Sequence, residues 1–279
     1  MTHAAIDSRI HDTRPSALGP CAGSPLLDLR LADCMDVMRA APDNHWDLAI
    51  VDPPYGIGWD GENDTMSAGM RKDGSQRKNE TWNNWKPKGY AKKAWDQEPP
   101  PPEYFTELRR VSKRQIVWGG NYFTENLPPS GGWVTWEKGV PETMSLSQCE
   151  LAWTNCRNSV RHIRLLWAGY KKCEDSERMH PTQKPVKLYD WLLANYAKPG
   201  DRILDTHMGS GGIAIACHYR GHHLTACEID ADYYAAAVER INRETRQLTL
   251  FTENVQAVPA AAGGSESTPT PCPPLGTSE

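Results

Sequence analysis

The segment Trp46-Asp47-Leu48-Ala49-Ile50-Val51-Asp52-Pro53-Pro54-Tyr55 reads as a buried strand that stops abruptly. Proline fixes φ and cannot donate to a sheet ladder, so two in succession end the strand and hold the residues at its carboxyl end rigidly. In open α/β sheets that edge is where ligands bind. Asp52 offers a carboxylate, Pro53 a carbonyl with no amide hydrogen on the following Pro54 to compete for it, and Tyr55 a flat ring. The acid and the carbonyl accept the hydrogens of an amino group while the ring stacks on the face of the planar system that carries it. Those are the needs of a base flipped out of a nucleic acid. The same four residues also suit a plain strand-terminating turn.

A second stretch, Ile203-Leu204-Asp205-Thr206-His207-Met208-Gly209-Ser210-Gly211-Gly212, runs from a strand into a glycine-rich turn and then into an apolar helix. Glycines there let backbone approach a ligand at a helix N-terminus, although other nucleotide sites and ordinary turns share the pattern. About 20 residues on, Leu224-Thr225-Ala226-Cys227-Glu228-Ile229-Asp230 ends a strand in a carboxylate placed to hold a ribose.

These motifs resemble those of the β-class amino-methyltransferases of DNA, which carry Asp-Pro-Pro-Tyr early and the glycine-rich motif late. The resemblance runs from about Leu26 to Phe251 and includes His180-Pro181-Thr182-Gln183-Lys184-Pro185. It departs from the usual glycine motif at Thr206 and His207, where the family has Pro and Phe, and at Gly212, where it has Thr, a variant similar to phage and prophage enzymes. The resemblance implies a Rossmann-like α/β fold for S-adenosylmethionine-dependent methyl transfer, with a mostly parallel sheet, an antiparallel edge hairpin and a permuted order, catalytic half first. It implies catalysis by Asp52, Pro53, Pro54 and Tyr55. S-adenosyl-L-methionine would lie against Asp33, Asp205, His207, Gly209, Ser210, Gly211, Glu228 and Ile229, with Thr182, Gln183 and Lys184 on its carboxylate.

The implied reaction is methylation of adenine N6 in double-stranded DNA. Cytosine N4 is the nearest rival, but relatives acting on cytosine usually have Ser in place of Asp52. RNA or protein glutamine is a further rival, where Asn usually leads the motif. A DNA-binding protein that keeps the fold without catalysis is a rival of another class.

At 279 residues and 39% hydrophobic content the chain can bury the core of one large α/β domain. No run of eighteen apolar residues and no signal peptide is seen, which points to the cytoplasm. Eight scattered cysteines without a Cys-x-x-Cys pair suit reduced thiols, and no familiar metal spacing occurs. The net charge of −4 conceals a strong asymmetry. Arg71, Lys72, Arg77, Lys78, Lys86, Lys88, Lys92 and Lys93 oppose only Asp73 and Glu80. Trp82, Trp85, Tyr90 and Trp95 interleave with them, and no helical or alternating period is present. This stretch is either a solvated loop or one that orders on phosphates and offers rings to bases. Its place directly after the catalytic strand favours DNA.

A second basic stretch holds Arg157, Arg161, His162, Arg164, Lys171 and Lys172, and reads either as an edge strand with solvated charges or as part of the base-reading region. Asp33 is either the N-cap of a helix or, as the resemblance implies, an acid in the cleft on the strand next to Asp-Pro-Pro-Tyr. Pro101 and Pro102 introduce a helix with Tyr104, Phe105, Leu108 and Val111 on one face. Residues 1–24 read as a loose arm and 25–251 as the methyltransferase domain, with DNA-contacting insertions near 56–100 and 156–179. Residues 252–279 form a tail without Lys or Arg. A short recognition region suits a homodimer on palindromic DNA. Gln247-Leu248-Thr249-Leu250-Phe251 is similar to the pentapeptide that grips the replicative sliding clamp, although docking of Leu248, Leu250 and Phe251 on the enzyme's own core is the simpler reading.

Overall fold

The computed structural model describes residues 27–58, 96–140, 147–168, 171–172 and 183–246. Outside them lie Arg71, Lys72, Arg77, Lys78, Trp82, Trp85, Lys86, Lys88, His180, Thr182 and residues 247–251, together with the expected arm and tail.

The strands are β1 (Leu27–Leu31), β2 (Leu48–Val51), β3 (Gln115–Trp118), β4 (Trp133–Glu137), β5 (Cys149–Thr154), β6 (Val160–Arg164), β7 (Trp167–Ala168), β8 (Lys171–Lys172), β9 (Arg202–Asp205) and β10 (His223–Glu228). Between them run α1 (Cys34–Ala40), α2 (Pro102–Val111), α3 (Val186–Tyr196) and α4 (Gly212–Arg220), and α5 (Ala231–Arg246) follows β10. Eight strands form one sheet in the order β1-β10-β9-β2-β3-β5-β4-β6, and β7 and β8 pair separately. From β1 to β3 all neighbours are parallel. The antiparallel hairpin lies toward one edge, where β5 runs against both β3 and β4. β6 returns parallel to β4 and is the outermost strand.

Every residue of β2 is buried, as a continuous apolar run requires when both faces of a sheet are covered. Because successive strand side chains point to opposite faces, Leu48 and Ile50 pack with α3, α4 and α5, while Ala49 and Val51 pack with α1 and α2. The result is a three-layer α/β/α sandwich. Helix α2 starts with Pro102 at its first turn, where the missing amide hydrogen costs nothing, and buries Tyr104, Phe105, Leu108 and Val111. Asp33 caps α1 by accepting from the Met35 amide at 2.8 Å.

The chain order places β9 directly beside β2 although more than 150 residues separate them. From this pair β3 lies to one side and β10 to the other, so the crevice at their carboxyl ends is the switch point of the sheet. The strand order also corrects the placement of Asp33. Its strand, β1, is not next to β2 but at the sheet edge with β10 and β9 between, because the β1–α1–β2 connection crosses over both. Asp33 therefore stands beside the carboxyl end of β10, near Glu228, with Leu31 in register with Glu228.

Candidate active site

Asp52 follows the last residue of β2 directly and so stands at the carboxyl edge of the sheet. Its Oδ1 accepts a hydrogen bond from the Tyr55 hydroxyl at 2.7 Å, and its Oδ2 accepts from the ammonium of Lys184 at 2.5 Å. Lys184 immediately precedes the N-cap of α3, and its side chain is only 3% exposed. Such a charge is tolerated inside a protein only when paired. Its second partner is Glu150 of β5, with Oε2 at 3.2 Å, and Lys138, just beyond β4, donates to Glu150 Oε1 at 2.9 Å. The ammonium also lies 5.3 Å from the centre of the Trp118 ring. A partly buried row of alternating charges, Asp52, Lys184, Glu150 and Lys138, thus runs from the crevice toward the antiparallel strands.

The row fixes protonation states. Burial pushes the Asp52 carboxyl above its ordinary range, opposed by the Lys184 ammonium and by both hydrogen bonds. Burial works against the Lys184 charge too, but Asp52 and Glu150 hold that ammonium above its usual range. Glu150, although buried, is held down at about 2 by Lys184 and Lys138. Each oxygen of an ionised carboxylate has two lone pairs, so Asp52 keeps acceptor capacity beyond Tyr55 and Lys184.

The turn after Asp52 is clamped from a distance. The amides of Tyr55 and Gly56 donate to Asp96 Oδ1 at 2.7 and 2.9 Å, and the Gly58 amide donates to the Asp96 carbonyl at 2.9 Å. The Tyr55 ring rests on Gly119, where a Cβ would stand 2.2 Å from Cε1, and Gly119 itself has φ +68°. Only glycine satisfies both conditions. Tyr122 stacks on the Tyr55 ring, with centroids 5.0 Å apart and planes at 17°.

Beyond β9 the glycine turn is organised by its neighbours. Glu228, at the end of β10, accepts from the Gly209 amide at 2.9 Å through Oε2 and from the Asp230 amide at 3.1 Å through Oε1. Gly211 has φ +73° and packs so closely on Ile241 that a Cβ would fall 2.7 Å from its Cδ1, whereas Gly209, with φ +52°, has only the His207 carbonyl near that position. The turn is therefore packed on one side and open on the other. Ser210 is held from beneath by Arg240 of α5, whose fully buried guanidinium donates through Nη1 to the Ser210 carbonyl at 3.1 Å and hydroxyl at 3.2 Å. Ile229, which follows Glu228, is 71% exposed.

Thr206 and His207 take specific places. The Thr206 hydroxyl shares a hydrogen bond with the Tyr104 hydroxyl at 2.6 Å and another with His207 Nδ1 at 2.9 Å. Burial lowers the His207 imidazole to about 4, so the ring is neutral. Asp205, 2% exposed, accepts from the His207 amide at 3.0 Å. Burial raises its carboxyl to about 8, opposed by that amide and reinforced by the charges of Asp52 and Glu228.

The predicted residues Asp52, Pro53, Pro54, Tyr55, Lys184, Asp205, His207, Gly209, Ser210, Gly211, Glu228, Ile229 and Asp33 all stand at one edge of the sheet, and Gln183 is buried next to Lys184. Lys184 was expected at the cofactor carboxylate; its ammonium is found on Asp52. The second basic stretch is divided. Arg157 donates to the Asn195 carbonyl at 3.0 Å and lies over the Tyr196 ring, and Arg161 reaches Asn195 Oδ1 at 3.4 Å. Both point toward the opposite edge, where β3 begins and α3 ends. Arg164, in register with Glu137 and paired with it at 3.1 Å, lies on the Asp52 edge.

Glu150, Lys138, Asp96 and Arg240 are not marked by any motif in the sequence. Each reaches the site from a distant part of the chain, so no local spacing marks it. Two weaker signals existed: an acid in the otherwise apolar strand Cys149–Thr154, and an arginine on the core face of the last helix.

The chain is similar to known proteins over part of its length. M.HpaI, a type II methyltransferase of Haemophilus parainfluenzae, is 29% identical over 87 residues, 31% of this chain and 28% of that protein. M2.DpnII, a type II methyltransferase of Streptococcus pneumoniae, is 30% identical over 89 residues, 31% of this chain and 33% of that protein. The chain thus spans about a third of the length of these curated relatives. Among solved structures, the cytosine-N4-specific PvuII DNA methyltransferase matches over 80% of this chain and 93% of its own, with a TM-score of 0.48 and 12% identity. An M1.HpyAVI–SAM complex matches over 77% of this chain and 100% of its own, with a TM-score of 0.46 and 16% identity. Residues 137–239, which carry Lys138, Glu150, Lys184, the glycine turn and Glu228, match the model of a family described as DNA methylase.

Proposed function

We propose that the protein is a DNA methyltransferase that uses S-adenosyl-L-methionine to methylate the N6 amino group of an adenine flipped out of double-stranded DNA. The observation that carries this reading is the meeting, at one switch point, of Asp52 and Tyr55, just past β2, with the glycine turn just past β9. A site for an electrophile and a site for an amine are side by side.

The residues present fit the cofactor. Among the described residues no cation pairs directly with Asp205, and burial raises its carboxyl. Asp33 and Glu228 line the same crevice, and a sulfonium cation bound there would favour the ionised form of Asp205. Glu228 retains lone pairs for ribose hydroxyls, exposed Ile229 offers an apolar surface to an adenine ring, and the open side of Gly209 admits close approach. When bound, S-adenosylmethionine supplies an activated methyl group whose leaving group departs without acid catalysis.

The chain's own groups then do the rest. Tyr55, fixed by Asp52, Asp96 and Gly119, offers its ring to the base. Asp52 and the Pro53 carbonyl accept the two amine hydrogens and draw the nitrogen from planar toward tetrahedral, which frees its lone pair. Lys184 keeps Asp52 anionic and oriented, and Asp52 is the nearest base for the proton that the amine loses on gaining a methyl group. Positioning and fixed charges thus supply the acceleration. Asp at position 52, rather than Ser, supports adenine over cytosine. Arg164 and the basic segment 71–93 would meet the phosphates.

The test is transfer of a labelled methyl group to duplex DNA. Asp52→Ala should abolish it while cofactor affinity stays near that of the unmodified protein; normal turnover by that variant would remove the assignment.

A further inference from the structure

Tyr122 lies in the 3-10 turn Gly120–Tyr122 that follows β3, and nothing above gives it a role. Its ring is nearly parallel to that of Tyr55, at 17° and 5.0 Å between centroids. The two rings differ in freedom. Tyr55 is tied through its hydroxyl to Asp52 and through its amide to Asp96, and it rests on the bare Cα of Gly119. Tyr122 is 51% exposed. Its amide donates to the Gly119 carbonyl at 2.8 Å, and Gly120 packs so closely on Trp153 that a Cβ would stand 2.5 Å from the Trp153 Cβ, whereas the Tyr122 side chain lies half in solvent.

We propose that Tyr122 is the second wall of the base seat, and that the flipped base slides between a fixed ring and a movable one. This rests on the base-methylation reading above. A planar base needs about 3.5 Å to each ring, so the rings must stand roughly 7 Å apart. With nearly parallel planes and centroids 5.0 Å apart the rings leave no room for a base, and rotation about the Tyr122 side-chain bonds is what opens the gap. With no base present, the Tyr122 ring covers the Tyr55 face and keeps it from water. With a base present, the ring adds a second stacking surface that holds the base out of the duplex long enough for transfer. Stacking of this kind reads a π-face and not an edge, so Tyr122 retains the base and leaves its identity to Asp52 and the Pro53 carbonyl.

The experiment compares the full-length protein with Tyr122→Ala, Tyr122→Leu and Tyr122→Phe, using mixed-sequence duplex DNA and S-adenosylmethionine. Tyr122→Ala and Tyr122→Leu should each slow single-turnover transfer and weaken kcat/KM for DNA at least tenfold, with S-adenosylmethionine affinity within twofold of the unmodified protein. Tyr122→Phe, which keeps the ring and loses only the hydroxyl, should transfer normally. Transfer by Tyr122→Ala at or above the unmodified rate would overturn the clamp, since the ring would then be only a cover. An equal loss in Tyr122→Phe would overturn it too, because the hydroxyl and not the ring would be at work. These results need an active unmodified protein; if that protein transfers no methyl group to DNA, the underlying reading fails and the clamp falls with it.

Discussion

The ammonium of Lys184 stands 2.5 Å from Oδ2 of Asp52 and 3.2 Å from Oε2 of Glu150, buried between two carboxylates that reach it from different strands. In the proposed transfer Asp52 accepts amine hydrogens as a carboxylate, and burial alone drives it toward the neutral form. Lys184 is the group that opposes this most strongly, which gives it a positioning role in the proposed chemistry.

Replacement of Lys184 by Met follows from that relationship. The raised Asp52 carboxyl would rise further without its cation, so the acid limb of a kcat/KM profile should move to higher pH. Lys184→Arg should retain part of the original profile. Loss of one partner from a buried ion pair costs about 3–5 kcal/mol, so the Met variant should also melt well below the unmodified protein. An acid limb that stays in place would show that Lys184 does not tune Asp52.

Gly119→Ala should injure catalysis more than folding. The added Cβ would meet the Tyr55 ring at 2.2 Å and the backbone would be held at φ +68°. A non-glycine residue in that region costs about 1–2 kcal/mol, a modest loss of stability. Displacement of the Tyr55 ring should lower single-turnover transfer by at least tenfold, with S-adenosylmethionine affinity nearly unchanged. Full activity in this variant would mean that the ring position is not critical.

Asp205 makes stability depend on pH. Its carboxyl, at about 8 in the folded protein against an ordinary 3.8, keeps its proton longer when folded than when unfolded. The folded state therefore binds more protons between those values, and stability falls as pH rises through them. Thermal melts between about pH 5 and pH 8 should show a declining midpoint, and Asp205→Asn should flatten the slope. A slope unaltered by Asp205→Asn would place the dependence elsewhere.

Arg240→Met should act on the cofactor side. The guanidinium holds the Ser210 carbonyl and hydroxyl at 3.1 and 3.2 Å, and methionine fills similar space without either bond. A loosened glycine turn should raise KM for S-adenosylmethionine severalfold, with kcat little changed. A fall in kcat at constant KM would contradict a role confined to the turn.

Much of this arrangement is legible in the sequence because it is local. A continuous apolar run ending in two prolines marks β2, and the burial of all its residues is what that pattern requires. The helical period of Tyr104, Phe105, Leu108 and Val111 likewise gives the buried face of α2. Sheet order is less accessible, because pairing is set by contacts distant in sequence. Asp33 follows a strand separated from β2 by only a short helix, yet two strands intervene in space. The same limit explains Lys184. Its position in the chain suits a cofactor contact, but its partners Asp52 and Glu150 come from strands 132 and 34 residues away by number, and only the fold brings them together. Arg157 and Arg161 show the converse, since clustering in sequence with Arg164 does not put them on the same edge of the sheet.

The most direct measurement is nucleoside mass spectrometry of mixed-sequence duplex DNA after incubation with the protein and S-adenosylmethionine, beside the Asp52→Ala variant. The predicted result is new N6-methyladenine with the unmodified protein and none with the variant. N4-methylcytosine in its place would contradict the choice of base, and N6-methyladenine made equally by both proteins would contradict the role of Asp52 on which the mechanism rests.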